Sequence, residues 1–414
     1  MTQKAVKRVA LDALAKNREI VLRVLHSGNT FTISDLSSSV GLSRQTVKKA
    51  IDYFIEKDLV SEIGKGESTD LGGKRPMLYK FDSGQKLLCI LVSANSATII
   101  VTDLQANIID DIIISDIISL SYEELIGQIS SSCETLYKRN SDLEKQICGV
   151  SCCVPGIIEK ESGILRYNIF SGNWGYDLPL KKDLENKFPN VKYVFVDNIG
   201  KIIGRSLMWD FKDEVENERV MLLYTSLGIS ACVLEYGRVL NGANSLIGEI
   251  GHMTLDHMDG ELCLCGSKGC FEVLTSIERV KSRVRELLGQ YPNSILSHKI
   301  IDELTFRDIF DGSKSGDALC RAINESLAKW FGLAFRNIAL TIDPSAIRII
   351  GNFSYADDFF KENLIEEMNK FRYYPRNDKC SISYDTRDTF DMEIKGCAQS
   401  IVEQYLSNID LYLG

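Results

Sequence analysis

Apolar positions recur with a helical period at the start of the chain and with a strand period after it. Ile20, Val21, Val24 and Leu25 share one face of a helix over residues 17–25, which Ser27-Gly28-Asn29 ends. Thr32 opens a second short helix with Ile33, Leu36 and Val40 apolar, and Gly41 supplies a tight turn. Ser43 then caps a third helix running to Glu56, with Val47, Ile51, Phe54 and Ile55 inward and Arg44, Gln45, Lys48 and Lys49 mostly outward. Two short helices joined through a glycine turn predict a helix-turn-helix. The Gly-rich loop over 64–73, the run Lys74-Arg75-Pro76 and a strand over 77–81 predict a wing behind it.

From about Lys86 the pattern alternates between strands and helices. Strands are expected over 87–92 and 98–103, paired around Ser93-Ala94-Asn95-Ser96, and over 108–114, 147–154 and 193–196. Helices are expected over 122–139 and 201–209, and a second strand pair over 220–226 and 229–235. This is a mixed α/β body with a partly parallel sheet. Each half opens with strand, Ser-containing turn, strand, a weak internal repeat.

Charge sharpens the division. The chain carries −9 overall, but residues 1–80 hold 14 Lys+Arg against 9 Asp+Glu, and the remainder 34 against 48. A basic head on an acidic body suits a head that meets a polyanion. In B-DNA the N-terminal end of a recognition helix reaches base edges, which here means Ser43, Arg44, Gln45 and Thr46. Lys48 and Lys49 are placed for phosphates, and Lys74 and Arg75 for a phosphate or the minor groove. A three-helix protein-interaction module is the alternative; wing and charge favour double-stranded DNA. The most apolar stretch, 108–120, is interrupted by Asp110, Asp111 and Asp116, so no span of a bilayer is expected. Without a signal-peptide pattern the expected location is cytoplasmic. Most of the 12 cysteines stand singly in apolar contexts as small buried hydrophobes.

Three cysteines cluster. Gly248-Glu249-Ile250-Gly251-His252 is followed by Cys263-Leu264-Cys265-Gly266-Ser267-Lys268-Gly269-Cys270-Phe271-Glu272. One His and three Cys make the tetrahedral donor set of a structural Zn2+, with His252, Cys263, Cys265 and Cys270 as ligands and His257 as a rival for the fourth position. With four protein ligands no open position remains for a reacting water.

These two runs resemble the signature of the ROK family (repressors, open reading frames, kinases), and Gly73-Lys74-Arg75-Pro76 resembles the wing motif of its xylose-operon and N-acetylglucosamine-type repressor branch. The resemblance covers about residues 15–405. It implies an actin-like, hexokinase-type two-lobed body with a zinc knuckle behind a winged helix-turn-helix. The expected division is 1–81 for DNA binding, 82–205 plus a C-terminal helix 394–414 for the first lobe, and 206–393 for the second. The resemblance also implies that Asn198, Glu249, His252, Glu272 and, more weakly, Asn168 bind sugar hydroxyls between the lobes.

The departures from the family's kinases set the functional expectation. Those kinases carry an Asn-Asp pair whose Asp takes the proton from the sugar hydroxyl; Val196-Asp197-Asn198-Ile199 puts Ile199 there. An alkyl group accepts no proton, and a missing general base costs about 10²–10⁴ in rate. Where the kinases resemble Asp-x-Gly-Gly-Thr and Gly-Thr-Gly-x-Gly, this chain has Val92-Ser93-Ala94-Asn95-Ser96 and Ser226-Leu227-Gly228-Ile229-Ser230, and Gly351-Asn352 replaces a Gly-Gly pair. The expectation is a sugar-responsive repressor without kinase activity, binding a two-fold symmetric operator as a homodimer or dimer of dimers. The alternatives are an active sugar kinase with an appended head, and a regulator that answers to a protein partner. Activator behaviour is open, because sign depends on promoter geometry.

Overall fold

The computed structural model describes residues 3–66, 75–168, 174–370 and 380–409. Helices α1 (Gln3–Leu25), α2 (Ile33–Val40) and α3 (Arg44–Glu56) come first, followed by strands β1 (Val60–Lys65) and β2 (Met77–Phe81). Thr32 and Asp35 form a reciprocal capping box on α2, and Gly41 ends that helix at φ 66°. The three helices close on Val21, Leu22, Leu25, Leu36, Val47, Ile51 and Phe54, each fully buried. At roughly 1.5–3 kcal/mol per fully buried large apolar side chain, this small core holds the unit together. Two details differ from the sequence reading. Helix α1 begins at Gln3 rather than near residue 17; Ala, Leu and Lys, strong helix formers, dominate residues 4–16. Strand β1 runs past Gly64, where a loop was expected, because a bulge between Glu62 and Gly64 keeps it paired with β2.

The body follows in chain order. It starts with β3 (Lys86–Val92), β4 (Ser96–Asp103), β5 (Ile108–Ser115), α4 (Tyr122–Arg139), α5 (Leu143–Gln146) and β6 (Ile147–Val154). A small sheet of β7 (Ile157–Ile158), β8 (Leu165–Tyr167) and β9 (Tyr176–Leu178) precedes α6 (Leu180–Lys187) and β10 (Tyr193–Asn198). Next are α7 (Ile199–Asp210), α8 (Lys212–Asn217), β11 (Arg219–Thr225), β12 (Ile229–Glu235) and β13 (Arg238–Val239). Then come α9 (Phe271–Leu274), α10 (Ile277–Leu287), α11 (Phe306–Lys314), α12 (Ala318–Thr341) and β14 (Ala346–Gly351). The last elements are α13 (Asp358–Asn369), β15 (Ser381–Asp385) and α14 (Thr389–Ser407).

Two five-stranded sheets carry the body, ordered β10-β6-β3-β4-β5 and β13-β12-β11-β14-β15. In each, an antiparallel hairpin (β3–β4, β11–β12) is extended by a parallel neighbour (β6, β14). The repeated strand–turn–strand pattern thus marks two sheets of the same order. Every residue of β6 is buried, as a central strand between covered faces requires. The second sheet packs on an aromatic core in which Phe331 lies 4.4 Å from Phe353 and 4.9 Å from Phe271, ring centre to ring centre.

The chain forms two compact units, 1–153 with 180–196 and 397–414, and 154–179 with 197–396. The division therefore falls elsewhere than at 205/206. Helix α7 lies against β12 so closely that a Cβ on Gly200 or Gly204 would stand 2.4 Å from Ser230 Oγ or 2.2 Å from Cys232 Cβ. Residues 154–179 join the same unit, where the Lys160 amide donates to Ser245 Oγ at 3.1 Å. The C-terminal helix starts at Thr389 rather than 394, because the Asp388 carboxylate accepts the Phe390 amide at 2.7 Å and caps it. Residues 410–414 of the expected helix lie outside the described residues.

Within the first unit the three-helix head is tied to the end of α14. Arg23 Nη1 and Nη2 donate to Glu403 Oε2 and Oε1 at 2.9 and 2.7 Å, and Nη2 also reaches Ser407 Oγ at 2.8 Å. Such a two-pronged charge-assisted pair has a defined geometry as well as a favourable energy. Among the described residues no helix is long and apolar enough to cross a membrane.

Candidate functional site

The sharpest convergence is the His/Cys cluster. His252 ends a single 3-10 turn over Ile250–His252, Cys263 and Cys265 stand in the following loop, and Cys270 precedes α9. Main-chain bonds fold this loop on itself: Cys263 N to Ser267 O at 2.8 Å, Gly269 N to Glu261 O at 2.9 Å and Leu255 N to Gly269 O at 2.8 Å. Gly266 and Gly269 take φ of 87° and 64°, and a Cβ on Gly269 would overlap the Asp256 carbonyl at 1.7 Å. The glycines of the motif are thus required by backbone conformation and by close approach.

The four donor atoms of His252, Cys263, Cys265 and Cys270 all lie within 4.8 Å of one another. His252 Nδ1 is 3.6 Å from Cys263 Sγ, and Cys265 Sγ is 3.6 Å from Cys270 Sγ. A tetrahedral zinc with Zn–S of about 2.3 Å sets sulfurs about 3.8 Å apart, whereas a disulfide needs about 2.05 Å. The donor set and spacing fit the metal. His257 is exposed and outside the converging group. Burial pushes the Cys263 thiol up, and pushes Cys270 up to about 11 with help from its bond to Cys265. For Cys265 burial is outweighed by the Ser267 backbone and the neighbouring thiols, which bring it down to about 7.

Beside the cluster stands a second polar group in the same unit. Asn198 caps α7: its Oδ1 accepts the Lys201 amide at 2.9 Å, while its Nδ2 donates to Glu249 Oε1 at 2.9 Å. Glu249 is held above the usual carboxylate range by burial, offset in part by Lys201 and His252. Its main-chain oxygen accepts the His252 amide at 3.2 Å, so the carboxylate and the knuckle are one residue's two ends. Glu272 Oε1 lies 3.2 Å from His252 Nδ1 and 3.3 Å from Cys263 Sγ, and its Oε2 accepts the Ile229 amide at 3.4 Å. Asn168 is buried in this unit too. Three of the expected sugar ligands, Asn198, Glu249 and His252, are thus joined by hydrogen bonds, and Glu272 adjoins His252. Sequence reasoning did not single out Lys201 or Ser245; nothing in their local pattern marks either.

The structure also places the residues at which a departure from the kinases was expected. Ile199 is the first residue of α7. Asp197 accepts its neighbour's amide at 3.0 Å and lies 3.4 Å from Arg205 Nη2. In the β3–β4 turn the Ser93 amide donates to Ser96 O at 2.8 Å, and the two serine hydroxyls meet at 2.8 Å. In the β11–β12 turn the Ser226 amide donates to Gly228 O at 2.9 Å, and Asn352 Nδ2 to Ser226 O at 2.9 Å.

In the head, Ser43 Oγ accepts the Thr46 amide at 3.1 Å and contacts Thr46 Oγ1 at 2.9 Å, so both side chains serve the cap of α3. Arg44 Nη2 donates to Ser34 Oγ at 2.9 Å, linking α3 to α2. Gln45, Lys48, Lys49 and Arg75 are exposed; Lys74 lies outside the described residues.

The sequence profile of the ROK family matches residues 87–387. The xylose repressor of Caldicellulosiruptor bescii is 27% identical over 358 residues, 86% of this chain and 87% of its own. A glucokinase of Halalkalibacterium halodurans is 32% identical over 227 residues, covering 54% of this chain and 65% of that protein. The crystal structure of a ROK family transcriptional regulator, a homolog of the Escherichia coli MLC protein, covers 97% of this chain and 100% of its own with a TM-score of 0.79 at 18% identity. With a profile that spans most of its length and a body of two like-ordered sheets, the chain belongs to the ROK family.

Proposed function

We propose that this chain is a cytoplasmic transcriptional repressor of carbohydrate genes. It binds operator DNA through residues 1–81, answers to a sugar or sugar derivative, and carries out no phosphoryl transfer. The observation that carries the reading is the combination of a compact three-helix head with a ROK body whose base position holds Ile199. Similarity to a xylose repressor that extends beyond the body supports it. In this reading α2 and α3 are the helix-turn-helix, β1 and β2 flank the wing, and α3 enters the major groove. Two heads of a homodimer or dimer of dimers read a two-fold symmetric site, with half-sites about one helical turn or a multiple apart. Zinc, held by His252, Cys263, Cys265 and Cys270, supplies structural cross-linking of the knuckle. Asn198, Glu249, His252, Glu272 and Asn168 form the effector site.

Selection of duplexes from a random-sequence pool, followed by affinity measurement with and without sugars, tests the reading. A two-fold symmetric consensus is expected; equal affinity for every duplex overturns it. Gln45→Ala is expected to relax preference at one or two base pairs, since a lost bidentate base contact costs about 1–3 kcal/mol. Lys49→Ala is expected to weaken all duplexes alike and to lower the salt slope by about one.

A coupled assay with ATP and D-glucose, D-xylose or N-acetyl-D-glucosamine is expected to stay at background, because no carboxylate stands at position 199 and the Asp197 carboxylate faces Arg205. Turnover clearly above background would favour the kinase alternative, which the glucokinase relative keeps in view.

A further inference from the structure

Three charged side chains are buried among the described residues: Asp197, Asp385 and Lys201. The two aspartates face arginines, Arg205 at 3.4 Å and Arg387 at 2.7 Å. Lys201, 1% exposed, makes no ion pair within 4 Å among the described residues, though its charge favours the ionised Glu249 carboxylate nearby; its ammonium donates to the main-chain oxygen of Ser245 at 2.9 Å. Enclosing a lysine is costly unless its charge is put to use.

What it holds is the loop that delivers Glu249. Ser245 is itself buried and sits at φ 58°, a left-handed conformation unusual for a residue with a side chain. Its hydroxyl accepts the Lys160 amide at 3.1 Å, so Ser245 is gripped at both its carbonyl and its hydroxyl. Four residues on, the Glu249 amide donates to Leu246 O at 3.1 Å, and Gly248 O accepts the Ala231 amide at 2.7 Å. The path from Ser245 to Glu249 is therefore short and pinned along its length. Asn198, the cap of α7, and Lys201 in its first turn are three residues apart. A single helical turn thus offers the amide that meets the Glu249 carboxylate and the ammonium that anchors the loop bearing it.

We propose that Lys201 is a positioning residue of the effector site: by holding the Ser245 carbonyl it fixes Glu249 against Asn198 in the geometry that receives a sugar. This rests on the effector reading above. A neutral side chain of similar length would fill the space and release the loop.

The test uses the full zinc-loaded chain and Lys201→Met, with Lys201→Arg as the variant that keeps a charged donor. Hydrogen exchange reads the Glu249 amide, which donates to Leu246 O, and the Lys160 amide, which donates to Ser245 Oγ, and calorimetry reads binding of D-xylose, D-glucose and N-acetyl-D-glucosamine. In Lys201→Met those amides are expected to exchange about tenfold faster, and the sugar that binds wild type to bind about tenfold more weakly. Zinc content and the protection of α3 and β11 are expected to stay as in wild type, and Lys201→Arg to recover most of both losses. A merely structural lysine would lower the melting temperature without changing sugar affinity in the folded protein. Either readout unchanged in a folded Lys201→Met overturns the proposal. If that variant loses protection throughout, Lys201→Gln takes its place under the same criteria. If wild type binds none of the three sugars, the sugar reading fails for them, and loop exchange alone decides the role of Lys201.

Discussion

Purified protein is expected to carry one zinc ion per chain, and Cys263→Ser combined with Cys265→Ser is expected to release it. The knuckle has little else to hold it. Leu262, Leu264 and Met258 around it are largely exposed, so the loop's large apolar side chains contribute little to its shape. Its main-chain bonds are local, and two of its thiols are driven above their ordinary range by burial. A metal that takes all four donors replaces those protonated thiols by thiolates. Structural zinc in peptides of this ligand type binds with about 10–16 kcal/mol at neutral pH, which is comparable to the whole stability of a domain. The consequence extends past the loop. Cys270 is followed by Phe271, whose amide donates to Met253 O at 2.9 Å and whose ring, fully buried, packs edge-on to Phe331. Loss of the ion is therefore expected to lower the melting temperature by several degrees, not merely to loosen an exposed turn. Elemental analysis and thermal unfolding with and without a chelator measure both effects. Protein free of zinc after chelator-free purification, or an unchanged metal content in the double variant, would overturn the assignment.

The convergence of His252, Cys263, Cys265 and Cys270 was legible in the sequence because its signal is local: Cys-x-Cys-Gly-x-x-Gly-Cys leaves the chain few ways to turn. Helix α3 was legible for the same reason, since Ser43 and the 3.6-residue spacing of Val47, Ile51 and Phe54 lie within one segment. So were the two hairpins, whose short Ser-containing turns fix which strands pair. The start of α1 was missed because the reading began at Asn17, although Val6, Val9, Ala10, Ala13 and Leu14 upstream keep a helical spacing. The boundary between units was missed because it depends on which sheet a helix lies against. That choice is made by Gly200 and Gly204 meeting Ser230 and Cys232, about thirty residues away in sequence. The Arg23–Glu403 pair spans 380 residues and leaves no trace in either local pattern. Lys201 was not singled out in the sequence, and only the fold shows its ammonium buried, bonded to the Ser245 carbonyl and close enough to act on Glu249.

Operator affinity is expected to change about 5- to 150-fold on saturation with the effector sugar, the span that coupling of about 1–3 kcal/mol produces, and Glu249→Ala is expected to abolish that change. A sugar shifts DNA binding only through its differential affinity for two states of the protein. Removing a side chain that receives its hydroxyls removes that lever. The competing account makes Glu249 a brace for the zinc knuckle, in which case the variant would lose zinc, fold and DNA binding together. The two ends of the residue separate these accounts. Its bond to the knuckle is made by the main-chain oxygen, which accepts the His252 amide, whereas its carboxylate is directed to Asn198 Nδ2. Alanine keeps the first and deletes the second, together with the carboxylate's attraction to Lys201 and His252. The Asn198 amide then loses one partner, a cost of about 1–3 kcal/mol that leaves the fold standing, since its Oδ1 still caps α7 through the Lys201 amide. Glu249→Ala should therefore hold its zinc, bind the selected duplex as tightly as unliganded wild type, and ignore the sugar. Titrating that duplex with wild type and variant, each with and without D-xylose, D-glucose or N-acetyl-D-glucosamine, reads all three properties. Retained sugar response in Glu249→Ala would remove Glu249 from the effector site, and joint loss of zinc and DNA binding would make it the brace.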